Sequence, residues 1–380
     1  MRKALKLCLA LAMTGAMAIG TAFAGDTEVV VSGEALYHLK MKNEDYSTNP
    51  KDPAHKDAEK KTYSSTDALA EGILTATATN KGEVWTTKAA VGIAVKSNKD
   101  DGKGVAVKTD ELNVNLSNDT FSINFGTDDL GDATKNPGYY EGDKMDAGDE
   151  LSKGGENIVF EMPEIGLGAL IALTNANNVQ KTAYGVSYDK VFGDIDLSLE
   201  YETLSTEIDK DKGASSGDKD DNKDGVNDGS KATDYGIGVK YSMDPFAVMF
   251  NYGATTQTKG GKVATGETGA GDSYKSVDDV NMMLAADYKI DDISGVSLVY
   301  QSLVKTDNQA VVDNKIDAIK TTVTRTGLGY ATKLNAVDID VYYSMESTKR
   351  DKDGTLSSGT PVNDADWKTN ILGVRVFMGF

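Results

Sequence analysis

The chain has 380 residues, with 40 Lys and Arg against 59 Asp and Glu and a formal net charge of −19 at pH 7. An acid excess of this size excludes nucleic-acid binding through phosphates, which needs a basic face. The single cysteine, Cys8, lies in the first segment, so the chain beyond it has no thiol for a disulfide, a zinc–thiolate site or a cysteine nucleophile.

That first segment, "MRKALKLCLALAMTGAMAIGTAFA", carries Arg2, Lys3 and Lys6 ahead of an apolar run and ends in Ala22-Phe23-Ala24. It reads as a secretory signal peptide over 1–24, leaving 25–380 as one domain. No later segment holds the run of about 20 apolar residues that a transmembrane helix needs. A β-barrel hides its membrane face in alternation, so the exclusion covers helices only.

Alternation begins at once. In 27–42, Val29, Val31, Ala35, Tyr37, Leu39 and Met41 share one face, and Glu28, Ser32, Glu34, His38, Lys40 and Lys42 the other. The pattern returns with Phe121, Ile123 and Phe125, then with Tyr184, Val186 and Tyr188. It continues with Ile195, Leu197, Leu199 and Tyr201, with Phe246, Val248, Phe250 and Tyr252, and with Val337, Ile339, Val341, Tyr343 and Met345. Period-two segments predict sixteen strands, at 28–42, 67–79, 83–97, 105–117, 120–126, 156–162, 166–175, 181–192, 194–204, 232–242, 245–256, 277–289, 294–305, 320–333, 336–348 and 366–380.

The connections alternate in length. "NKG", "ND", "PEI", Gly193, "SMDP", "DDI" and "NA" are tight turns, and the links between them are mostly long and polar. A soluble sandwich has no reason to sort its loops by parity, whereas an outer-membrane barrel has short turns at one rim and long loops at the other. Aromatic residues fit two rims: Tyr201, Tyr235, Tyr252, Tyr300 and Trp367 beside the long loops, and Tyr188, Tyr241, Phe246, Tyr288 and Phe380 beside the short turns, all expected on the apolar face. The fold class expected is all-β, a sixteen-stranded antiparallel transmembrane β-barrel with its inward residues polar.

The last strand, "NILGVRVFMGF", alternates Leu372, Val374, Val376, Met378 and Phe380 outward. It resembles the C-terminal strand of Gram-negative outer-membrane β-barrels, where it is the signal read by the assembly machinery. With sixteen strands the chain resembles the trimeric general-diffusion porins along its whole length. The resemblance implies an outer-membrane location, contact with the lipid bilayer, a homotrimer and passive passage of small hydrophilic solutes. It also implies a third long loop folded into the lumen opposite a basic wall. The corresponding segment, 127–155, carries Asp128, Asp129, Asp132, Glu141, Asp143, Asp146, Asp149 and Glu150 against Lys135, Lys144 and Lys153. Thr127 stands where the family commonly ends its fifth strand in arginine, and only "NPGYY" stands near the family's Pro-Glu-Phe-Gly-Gly turn.

For the wall, alternation turns Lys40, Lys42, Lys88, Arg325 and Arg375 inward. Carboxylates outnumber these bases, which predicts a cation-preferring pore, because a charged channel with low-dielectric walls concentrates counter-ions. A substrate-specific channel would show a row of inward aromatics or a dense basic ladder; Tyr342 alone makes neither. A third reading is a surface structural or adhesive protein whose barrel anchors acidic loops, distinguished by a splayed third loop and a plugged lumen.

Enzymatic readings find no support. "GASSG" (213–217) matches a nucleophile elbow in letters but lacks its strand–turn–helix setting. His38 and His55 are the only histidines, one inward in a wide lumen and one in a loop. No cofactor is expected, with one open case. "DKDDNKDGVND" (218–228) spaces Asp220, Asn222, Asp224, Val226 and Asp228 like a calcium loop, yet Lys231 stands in place of the bidentate Glu. It reads either as a weak external calcium site or as a hydrated acidic loop.

Overall fold

The computed structural model describes residues 27–48, 61–97, 105–126, 130, 133–141, 157–176, 179–208, 230–259, 274–312, 315–351, 354–355, 361–362 and 365–379. The N-terminal 26 residues and the aspartate-rich stretch 218–228 lie outside that set.

Every described element is a strand. In order they are β1 (Thr27–Thr48), β2 (Lys61–Lys81), β3 (Thr86–Ser97), β4 (Val105–Ser117), β5 (Ser122–Gly126), β6 (Asn157–Met162), β7 (Leu167–Ala176), β8 (Val179–Phe192) and β9 (Ile195–Ile208). There follow β10 (Ser230–Met243), β11 (Phe246–Lys259), β12 (Tyr274–Lys289), β13 (Ser294–Val312), β14 (Lys315–Leu334), β15 (Val337–Arg350), β16 (Gly354–Thr355), β17 (Pro361–Val362) and β18 (Ala365–Gly379). The two-residue strands β16 and β17 pair with each other above the rim. The other sixteen pair antiparallel with their chain neighbours, β15 passes to β18, and β18 closes the ring on β1.

Followed residue by residue around this ring, the registers return to β1 displaced by about 20 residues. With strands about 4.8 Å apart and a rise of about 3.3 Å per residue, that stagger tilts the strands by about 40° and makes a backbone cylinder about 30 Å across. The interior is therefore too wide for wall side chains to fill.

The short turns gather at one rim. Between β14 and β15, Asn335 takes φ 59°, and between β8 and β9 Gly193 takes φ 62°, the left-handed geometry that lets a two-residue hairpin follow the strand twist. Asn118 caps its turn by accepting the Thr120 and Phe121 amides at 2.9 and 3.0 Å. At the opposite rim the strands run beyond the predicted segments: β13 reaches Val312, and β14 starts at Lys315. The ladder continues there where polar residues on both faces erase the alternation.

The outward face is apolar and open. Phe246, Leu284, Leu298, Tyr300, Leu328 and Tyr343 are each exposed, as side chains that meet lipid would be. Tyr201, Tyr235 and Tyr300 near one rim and Tyr241, Phe246 and Tyr288 near the other are all among these exposed residues. Trp367 departs from expectation. Its register partner Thr348 is 2 % exposed, and the Arg350 guanidinium lies 5.4 Å from the Trp367 ring, so Trp367 faces the lumen at the long-loop rim. The assignment failed because β18 alternates cleanly only from Leu372 onward. Val376 and Met378 face outward in register with Tyr37 and Ala35, and Phe380 lies outside the described residues.

Leu284, between Phe250 and Tyr300 on the lipid face, provides a test. Leu284→Arg is expected to cost about 2–4 kcal/mol of unfolding free energy in phospholipid vesicles, whereas Asn115→Arg on the lumen face leaves it within about 1 kcal/mol; urea titration of both variants checks the assignment of faces.

Candidate functional site: a loop seated on the inner wall

The segment after β5 turns into the barrel. Its described part, Leu130 and 133–141, runs along the inner wall from β8 to β18 and is held by its own backbone. The amide of Ala133 donates to Glu200 Oε2 at 2.9 Å, and that of Lys135 donates to Asn251 Oδ1 at 2.9 Å, while Asn251 Nδ2 returns a bond to the Lys135 carbonyl at 3.1 Å. The amides of Gly138 and Tyr139 donate to Asp287 Oδ2 at 2.8 Å and Ser297 Oγ at 2.9 Å. A loop leaving water for a wall must exchange its hydrogen bonds, and these wall acceptors are where the exchanged bonds go.

The wall is cut to fit. Asp287, Ser297, Gly329 and Tyr342 occupy one register row across β12 to β15, and the loop lies along it. A Cβ on Gly329 would stand 2.1 Å from the Tyr139 carbonyl oxygen, and one on Gly238 would stand 1.8 Å from that of Ala133. Any side chain at either position would lift the loop from its seat.

Tyr140 is the anchor. Its side chain is 0 % exposed and packs with Met249, Met283, Ala285, Val299, Tyr342 and Ile371, all of them inward residues. Its ring lies over Gly327 and meets Tyr342 edge-on at 5.7 Å between centroids. A polar lumen wall was expected, and here it is apolar, because a tyrosine ring brought in from the loop has to be covered. The broken alternation carries a signal of this: "VMF" (248–250), "MMLAA" (282–286) and "LVY" (298–300) are continuous apolar runs at neighbouring places on β11, β12 and β13. Tyr342 also holds His38, whose Nε2 lies 2.8 Å from the Tyr342 hydroxyl, so this histidine is tied into the wall rather than only hydrated.

Ionic contacts fix both ends of the seated segment. Lys135 Nζ lies 2.8 Å from both Asp189 Oδ2 and Asp196 Oδ1. Glu141 Oε2 lies 2.6 Å from Arg375 Nη1, which is 3.9 Å from Asp340 Oδ2. Partly exposed pairs of this kind contribute up to about 1 kcal/mol each, so the buried ring and the backbone bonds set the seat and the ion pairs trim it.

The predicted site residues fall out as follows. Arg325 and Arg375 face inward. Arg325 Nη2 pairs with Glu346 Oε2 at 2.6 Å, and its Nη1 donates to Gln301 Oε1 at 3.1 Å. Lys40 and Lys42 stand in register with Gly373 and Ile371 on the inner face, Lys42 paired with Glu44. Lys88 stands in inward register with Thr79 and Asn115 and is exposed to the lumen. Of the loop carboxylates only Glu141 is described; Asp128, Asp129, Asp132, Asp143, Asp146, Asp149 and Glu150 lie outside the described residues, as do Asp220, Asn222, Asp224, Val226 and Asp228. The sequence reading missed the anchors Tyr140, Asn251, Asp287 and Ser297 and the clamp Lys135–Asp189–Asp196. Among the described residues no group of three His, Cys, Asp or Glu side chains is disposed to hold a metal ion.

No protein-family model and no curated protein matches the sequence. Solved structures match its fold. An outer-membrane protein of Vibrio cholerae, OmpT in its trimer form, superposes with a TM-score of 0.58 at 12% identity over 94% of this chain and 100% of that one. An anion-selective porin from Comamonas acidovorans gives 0.56 at 13% over 93% and 100%. The outer-membrane channel DcaP of Acinetobacter baumannii gives 0.55 at 10% over 94% and 99%. At such identities the likeness is one of fold: this chain has the sixteen-stranded barrel of the porins.

The seat can be tested at its anchor. Tyr140→Ala is expected to remove about 3–5 kcal/mol of loop docking while leaving the barrel folded, and to appear as increased proteolytic cleavage within 127–155 with the far-ultraviolet circular dichroism unchanged. Cleavage equal to that of the unmodified protein would place the anchor elsewhere.

Proposed function

We propose that this protein is an outer-membrane porin: a water-filled channel for passive diffusion of small hydrophilic solutes and ions, preferring cations, exported through a signal peptide over 1–24 and assembled as a homotrimer. The observation that carries the reading is the seating of 133–141 inside a ring about 30 Å across, since this described stretch lies along the wall and narrows the lumen from one side. A surface protein that merely presented its loops would have no use for wall acceptors such as Asp287 and Ser297, or for glycines cleared to receive a loop backbone.

Selectivity follows from charge. The wall that receives the loop carries Asp189, Asp196, Glu200, Glu202, Asp234 and Asp287 on β8 to β12. Lys135 offsets only the first two of these. The basic residues Lys40, Lys42 and Lys88 stand on β1 and β3, across the lumen, but Glu34, Glu44 and Glu71 share that side and Glu44 pairs with Lys42, so a permeating ion meets acid in excess. A low-dielectric wall strengthens that field. The apolar band and tyrosine rims support a bilayer setting.

Purified protein in a planar bilayer under a tenfold KCl gradient is expected to conduct and to give a reversal potential of cation sign. Lys135→Gln, which uncovers Asp189 and Asp196, is expected to move the potential further in the same direction. A clear anion preference would sink the charge argument, and absence of conductance would sink the channel.

A further inference from the structure

Beneath the seated loop, on its short-turn side, lies a cavity of about 330 Å³, within the range of small-molecule sites. Its floor is two adjacent register rows of the wall. In the first, Arg375, Asp340 and Ala331 are neighbours across β18, β15 and β14; in the second, Phe377, Asp338 and Lys333. Its roof is the loop itself, through Gly138, Tyr139 and Glu141, and Ile293 closes the side.

The charges here are arranged by sign. Asp338 and Asp340 sit two residues apart on one face of β15. Arg375 flanks them from β18 and already spans Glu141 and Asp340, with its guanidinium 5.6 Å from the Phe377 ring. Lys333 flanks them from β14, its Nζ 3.4 Å from Asp338 Oδ1, and its side chain is 56% exposed against 36% for Asp338. A contact this open and this long contributes little and is cheaply parted. The cavity therefore offers one opposite-charge pair facing solvent, beside an apolar surface made by Phe377, Ile293 and Tyr139.

We propose that this cavity is a lumen subsite for α-amino acids bearing an apolar side chain. The two charges of such a zwitterion sit on the same carbon, which matches a single adjacent acid–base pair. The ammonium donates to Asp338, with Asp340 behind it, the carboxylate accepts from Lys333, and the side chain lies against Phe377 and Ile293. Charge-assisted hydrogen bonds of both signs are then made at once, at the cost of one weak pair. The subsite rests on the channel reading for its access from solution, and it makes that channel selective among neutral solutes as well as among ions.

Calorimetry on the detergent-solubilised protein with L-phenylalanine tests binding whether or not the protein conducts. A dissociation constant on the order of 1 mM is expected, with 2-phenylethylammonium and 3-phenylpropionate, which each carry one of the two charges, binding at least about tenfold more weakly. Asp338→Asn and Lys333→Gln should each weaken L-phenylalanine about tenfold, while Glu161→Gln, on the opposite wall in β6, leaves it unchanged. Equal binding of either singly charged analogue, or an equal effect of Glu161→Gln, would overturn the subsite. Conductance without any binding removes the subsite and keeps the channel; binding without conductance does the reverse.

Discussion

Pairing of β1 with β18, from Glu34 opposite Gly379 to Thr48 opposite Ala365, is the constraint on which the rest depends. It joins two segments from opposite ends of the chain and leaves the sheet without an edge. In hydrocarbon an unpaired row of backbone amides and carbonyls costs several kcal/mol for each group, so a spanning sheet either closes or fails. Closure at sixteen strands then sets the width, and the width creates a second requirement. A cylinder of this size encloses more space than its wall side chains can use, and something has to shape it.

The loop after β5 does the shaping, and the way it is held explains features of the wall that a lumen alone does not require. Inward glycines clear room for its backbone at Gly238 and Gly329. Inward acids and hydroxyls accept its amides, and an apolar patch built from four strands and Tyr342 covers Tyr140. Burial of one aromatic ring contributes several kcal/mol, more than the ion pairs at Lys135 and Glu141 together. The seat is accordingly a packing and hydrogen-bonding device more than an electrostatic one.

Placement of these groups also links the loop to the cavity beneath it. Glu141 and Tyr139, which fasten the loop to Arg375 and over Gly295, form the roof over Asp338 and Lys333. Movement of the loop would therefore change both the lumen beside it and the shape of the proposed subsite. Selectivity for ions and discrimination among neutral solutes would rest on one short stretch of chain.

The sixteen barrel strands, their faces and the parity of their connections were legible in the sequence, because a strand with lipid on one side and water on the other must alternate, and one residue per step writes that contrast directly. Inward placement of Arg325 and Arg375 followed from the same rule. Trp367 escaped it, because alternation fades beyond the apolar band. The loop's seat was not legible. Glu200, Asn251, Asp287 and Ser297 lie on four different strands, and nothing local shows that they meet one segment of backbone. The broken alternation at Met249, Met283, Val299 and Ile371 recorded the place where the loop docks, but only the register of the closed sheet puts those residues side by side, which is why the sequence by itself determined the barrel while the tertiary structure decided what narrows it.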